Sequence, residues 1–352
     1  MRDLTVAAFL ACAWFWCIGG FFPVLLYLEF GSVSFLAFAV FNVLGATLFG
    51  FWREAERLAF LNRFGAWTRG FSALVAGYQA VFAVWLSLMV QDARPVFCFA
   101  IVTALCLFFR ARLVAMSVAV LALSAGLLTY IVLTPVPVPV TEGAAPFLHQ
   151  IAPLALGFLL APWFDLTFHR AFAQADHPRR AFVIGFGVLF AGLLLGVYLG
   201  LDAFVGLTLS GGLAQPAVMA AAVLVMVQTG FTTAAHLVEL DIDWRQARLP
   251  ALAVGVVMAL HVASLMLSPE ALRLVGELIY RSFVFVIGAL FPVLLIFGPT
   301  RRAALVAAVL TPCYTLGFLI GGSFAPFLSV AMLTLAAFYV RASANRLAGE
   351  TS

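Results

Sequence analysis

An all-α integral membrane fold with about twelve transmembrane helices is predicted by three observations. Of 352 residues, 65% are hydrophobic and 10% charged, with mean hydropathy +1.13, far from the balance of a soluble domain. Apolar runs close to the ~20 residues needed to cross a bilayer recur along the whole chain. The chain has no lysine, and its 19 arginines fall on alternate sides of those runs, as the positive-inside rule requires.

The runs lie at about 5–28, 33–52, 68–90, 95–109, 113–134, 148–172, 181–201, 217–238, 249–267, 277–298, 303–321 and 324–341. The first lacks a basic leader and cleavage site and is expected to stay as a helix. Its middle reads Gly19-Gly20-Phe21-Phe22-Pro23, where glycine frees the backbone and proline cannot donate the helical hydrogen bond. Between spans two and three, alternating Arg and Glu from Arg53 to Trp67 predict a short surface helix. The fourth span is short. After the fifth, Thr134 to Phe147 carries PVPVP and should be extended and stiff. The sixth is interrupted at Ala161-Pro162-Trp163, resumes at Asp165 and ends in the basic loop His177-Pro178-Arg179-Arg180. Glycines between Leu201 and Pro216 suggest a short outer cap. The tenth span, like the sixth, is open to splitting.

With both termini in the cytoplasm, 16 arginines face inward, and Arg94, Arg273 and Arg281 lie outside or near the outer ends. A bacterial inner membrane suits this pattern. The net charge of +4 then reflects topology and not nucleic-acid binding. Cys12, Cys17, Cys98, Cys106 and Cys313 all fall within spans, none in a CxxC pair, and read as small buried apolar residues. No P-loop is present, so ATP is not the direct driver, and no cofactor is expected.

Five spans separate the starts of the two interrupted helices. An odd number reverses orientation, so spans 1–5 and 6–10 would be inverted copies, with two terminal helices appended. The divisions are 1–134, 135–147 as the Pro-rich outer connection, 148–298, and 299–352. Matching breaks in inverted halves point to a transporter binding site, because half-helix ends offer N–H groups to anions and carbonyls to cations. Taken singly, either break is as readily a plain kink.

At these two breaks the chain resembles the amino acid–polyamine–organocation superfamily, with its leucine-transporter-type fold. The carrying residues are Gly19-Gly20-Phe21-Phe22-Pro23, Trp163-Phe164-Asp165 and His177-Pro178-Arg179-Arg180. Adjacent glycines, Pro162-Trp163 in place of a sixth-helix glycine, and His in place of Asn before Pro178 mark a distant branch. The resemblance implies that Gly19, Gly20 and Phe21 meet substrate through the backbone. It also implies that Tyr78 and Gln79 of the third span face the central site, and that Thr232 and Thr233 of the eighth hold a sodium ion, a hard cation that takes oxygen ligands. Threonine more often bonds its own helix.

Asp165 is the most informative side chain, because an intramembrane carboxylate is costly and functional by default. Substrate amine, coupling ion and helix cap are all open to it. Trp163 and Phe164 are candidates for stacking on substrate or holding an amine, or are plain packing. Trp163 and Asp165 are expected to face Gly19 and Gly20 across a central cavity. His236 and Glu239 are candidates for a proton relay. His169 reads as a residue of the cytoplasmic rim, and His261 as core. Glu239, Asp241 and Asp243 read as a solvated loop beside Arg245.

The function expected is secondary active transport of a small organic solute, amino acid or amine-like, by alternating access driven by a proton or sodium gradient. Its partners are that solute and membrane lipids, with a homodimer as a further option. The alternatives are a receptor, scaffold or assembly factor on a transporter-like fold, and an intramembrane lipid-modifying enzyme. No repeated filter motif suggests a channel.

Overall fold

The computed structural model describes residues 1–138, 140–145, 151–209, 212–240 and 268–315. Every regular element among them is helical. Six helices are long and apolar enough to cross a membrane, and a bent pair makes a seventh. The chain is therefore an all-helical, multi-pass membrane protein. The expected spans 249–267 and 324–341, most of Thr315 to Leu319, and His261, Asp241 and Asp243 lie outside the described residues. So do the side chains of Cys17, Cys313 and Tyr314.

The first span is α1 (Arg2–Gly20) and α2 (Phe22–Phe30), joined through Phe21, whose backbone is not helical. The axis turns by 74° between Arg2–Phe15 and Ile18–Phe30. Pro23 opens α2, where its missing N–H costs nothing. A left-handed Gly31 (φ 80°) then separates α2 from α3 (Ser32–Phe49), a conformation glycine adopts without strain.

α4 runs unbroken from Glu54 to Met89. The expected surface helix and the third span are one element, because no proline interrupts the 36 residues. At 1.5 Å per residue it is about 54 Å long, well beyond the ~30 Å hydrocarbon core, so one end projects from the membrane. α5 (Arg94–Phe108) leads through a tight turn, Arg110–Arg112, into α6 (Leu113–Leu133). A non-helical strap follows.

The second interrupted span is α7 (Ile151–Leu160), a 3₁₀ turn over Ala161–Phe164, and α8 (Leu166–Gln174). α9 (Pro178–Leu199) contains one wide turn at Gly185–Phe190. Short α10 (Leu201–Gly206) and α11 (Pro216–Glu239) come next. α12 (Glu270–Phe297) widens at Val286–Leu290, ahead of Pro292, whose ring and missing N–H disturb the ladder there. α13 (Arg301–Tyr314) is the last described helix.

α11 is the axis of the molecule. It packs against α1, α4, α5 and α6, and nearly all of its side chains from Ala217 to His236 are buried. Small residues permit these crossings. At the α3–α7 crossing, a Cβ on Gly45 would run into the carbonyl of Phe158 and the Cα of Leu159.

Candidate functional site

The second break exists because Pro162 cannot continue α7. The chain tightens to a 3₁₀ turn, and Asp165 takes an extended backbone (φ −82°, ψ 111°) before α8 begins. Its Oδ1 accepts from the Thr167 N–H and hydroxyl, both at 2.7 Å. This is an N-cap, worth about 1 kcal/mol. Its Oδ2 has no hydrogen-bond partner among the described residues and lies 3.8 Å from Nε2 of His236 on α11. Both side chains are fully buried. His236 Nδ1 shares a hydrogen bond with Ser72 Oγ of α4 at 3.2 Å.

Farther along the same two helices stands a second acid–base pair. Arg170 Nε of α8 meets Glu239 Oε1 of α11 at 2.6 Å. Arg170 also borders a cavity at the arginine-rich end of the bundle. Titratable groups thus line α8 and α11 from the break to that end.

In the other direction the face of α11 carries Thr233 and Thr229. The Thr233 hydroxyl bonds Oε1 of Gln79 on α4 and the carbonyl of Thr229. Gln79 Nε2 and Thr229 Oγ have no partner among the described residues. Thr232 turns toward α1, its hydroxyl 3.0 Å from the Cys12 carbonyl and 2.9 Å from that of Gln228.

The first break opens onto a different lining. Phe21 is buried against Phe82 and Trp85 of α4, with ring centroids at 5.5 and 5.8 Å. Tyr78 and Tyr280 complete an aromatic cleft with about 10 Å³ of free space, roughly one water. The C-terminal end of α2 is tied down beside it. Tyr280 donates to Glu29 at 2.6 Å, and Arg281 reaches the same carboxylate at 3.2 Å. The strap after α6 adds a second clamp. Both the N–H and hydroxyl of Ser32 donate to Glu142, at 2.6 and 2.7 Å. The Gly143 and Ala145 N–H groups bond the carbonyls of Tyr27 and Glu29, each at 3.1 Å. The two bonds from Ser32 hold the Glu142 carboxyl below its usual 4.5.

The sequence-derived candidates therefore form two neighbourhoods. Asp165, His236, Thr233 and Gln79 line the meeting of α4, α8 and α11. Phe21 and Tyr78 share the aromatic cleft. Gly19 and Gly20 close the end of α1. A Cβ on Gly19 would lie 2.8 Å from the Phe15 ring, and one on Gly20 3.3 Å from Val225 of α11. Trp163 is not turned toward these glycines. Its ring packs on Trp52 and Phe49 at 4.2 and 5.8 Å, and its indole N–H bonds the Leu159 carbonyl at 3.2 Å. Phe164 is buried between Phe60, Phe64 and Phe291. His169, expected at the rim, is buried in an aromatic cage. Its Nε2 donates to the Trp163 carbonyl at 3.0 Å, which spans the 3₁₀ turn.

Ser72, Glu29 and Glu142 escaped the sequence reading, and Arg281 entered it only as an outer charge. Glu29 had a readable signal, an acid at the end of an interrupted span. Ser72 had none, since a serine in a membrane helix commonly bonds its own turn. No protein-family model, curated protein or solved structure matches the chain.

Proposed function

We propose that this protein is a secondary active transporter of a small organic solute, amino acid or amine-like. It works by alternating access between two interrupted helices. The observation that carries this reading is Asp165. A buried carboxylate with one oxygen unspent, facing a buried imidazole at a helix break, is costly to keep unless it binds or releases something. The aromatic cleft beneath the Glu29–Arg281 contact supports a solute site closed on the outer side. Aromatic faces and freed backbone groups at Phe21 suit an amine-bearing solute.

Coupling by protons is favoured over sodium. Asp165 and His236 form a titratable pair, and Arg170–Glu239 continues it toward the arginine-rich end. Thr232 and Thr233 already spend their hydroxyls on carbonyl and amide oxygens. The proposal includes twelve spans with a five-plus-five inverted arrangement, and cytoplasmic termini in a bacterial inner membrane. The packing of both breaks around α11 supports the arrangement.

The test is reconstitution into liposomes with an internal pH dye, screened with amino acids and amines under proton and sodium gradients. The parent chain should acidify the lumen on addition of one solute class. Asp165→Asn should bind that solute and lose proton movement. Solute binding without flux in the parent chain would make it a receptor. Unchanged proton flux in Asp165→Asn would remove Asp165 from coupling.

A further inference from the structure

At the arginine-rich end of the bundle, a cavity of about 780 Å³ opens between the starts of α1 and α6 and the ends of α8 and α11. That is within the range of small-ligand sites. Among the described residues, four arginines line it, Arg2, Arg110, Arg112 and Arg170, and no Asp or Glu does. Two are already neutralised, Arg2 by Asp176 at 3.3 Å and Arg170 by Glu239 at 2.6 Å. Arg110 and Arg112 are exposed, with no acidic partner among the described residues. They sit two apart in the 3₁₀ turn, and both border the cavity.

The same wall carries the first turn of α6, Leu113 to Ala115. Its N-cap, Arg112, supplies no side-chain cap to this 21-residue helix. The 3₁₀ turn ahead of it takes up some of the first N–H groups, and the rest favour negative charge. Gln174 adds a neutral amide to the lining. Just ahead of the arginines, Phe108 and Phe109 are 80% and 43% exposed, which sets apolar rings beside the charged turn.

We propose that this cavity binds a phosphate-bearing anion. Arg110 and Arg112 supply the charged donors, whose planar forks match phosphate oxygens, and the start of α6 supplies the neutral ones. The anion arrives either from the headgroup layer, as an anionic phospholipid, or from solution, as phosphate or a phosphomonoester. Neither source depends on the transport reading.

The experiment uses the full chain in two arms. In one, native mass spectrometry and thermal unfolding are recorded with phosphatidylglycerol against phosphatidylcholine. In the other, inorganic phosphate and glycerol phosphate are titrated in neutral detergent. One arm should show retained ligand and a raised unfolding temperature, and so identify the source. Arg110→Gln and Arg112→Gln should each weaken binding by about tenfold or more. Arg301→Gln and Arg302→Gln, each of which removes one charge from another helix start, should leave it unchanged. Arg110 and Arg112 are exposed, so these variants should fold, which circular dichroism checks. No preference in either arm, or equal loss in the Arg301/Arg302 control, overturns the proposal.

Discussion

Asp165 does two things with one carboxylate: Oδ1 caps α8 and Oδ2 faces His236. Substitutions separate them. Asn caps as well as Asp, so Asp165→Asn should unfold within about 0.5 kcal/mol of the parent chain. Asp165→Ala should lose about 1 kcal/mol more. Thermal unfolding in detergent reads the difference, and equal stabilities would mean that the cap contributes nothing. The cap was legible in the sequence because the proline, the acid and the restarting helix are adjacent. His236 was legible as a proton-relay candidate beside Glu239. Its pairing with Asp165 and Ser72 needs three helices to pack, and no local pattern encodes that.

At the scale of the helix, the breaks show what local chemistry determines. Gly-Gly-Phe-Phe-Pro and Ala-Pro-Trp weaken the helical ladder locally, and both spans are interrupted there. Local chemistry does not set the direction in which a neighbour points, and Trp163 turned to Trp52 and Phe49 on α3. The merging of α4 into one 36-residue helix was hidden for a related reason. A polar stretch ends a membrane span but need not end the helix. Close crossings give an independent test of the packing. Gly45→Ala would press a methyl against the Phe158 carbonyl and should cost about 1–3 kcal/mol. Gly126→Ala, with open space at its Cβ, should be neutral or slightly stabilising. Unfolding midpoints of the two variants check the contrast, and a neutral Gly45→Ala would mean that α3 and α7 cross elsewhere.

The whole molecule is fastened differently at its two ends. At the end bearing α2, the strap and the Glu29–Arg281 contact hold the first interrupted span. Glu142 makes the strap acid-sensitive. Its carboxyl is held below 4.5 by the Ser32 N–H and hydroxyl. A depressed folded value means that the attachment is fully present above 4.5 and fades as pH falls from there through the folded value. Protection of the Ser32 amide in hydrogen exchange, corrected for intrinsic rates, should drop over that window. Glu142→Gln, which cannot ionise, should show no step. A step of the same size in Glu142→Gln would assign it to another group.

α11 gains further meaning from the order in which the chain is made. It is the most enclosed span, yet Gln228, Thr229, Thr232, Thr233 and His236 all lie on it. A segment so rich in polar groups would be a poor candidate to enter lipid alone. The polar partners described for it on other helices, at Cys12, Ser72, Gln79, Thr103, Ser124, Asp165 and Arg170, lie earlier in the sequence. By the time the ribosome delivers α11, the receiving surface has already been synthesised. Its polar groups can pass from the translocon to protein without a lasting stay in hydrocarbon.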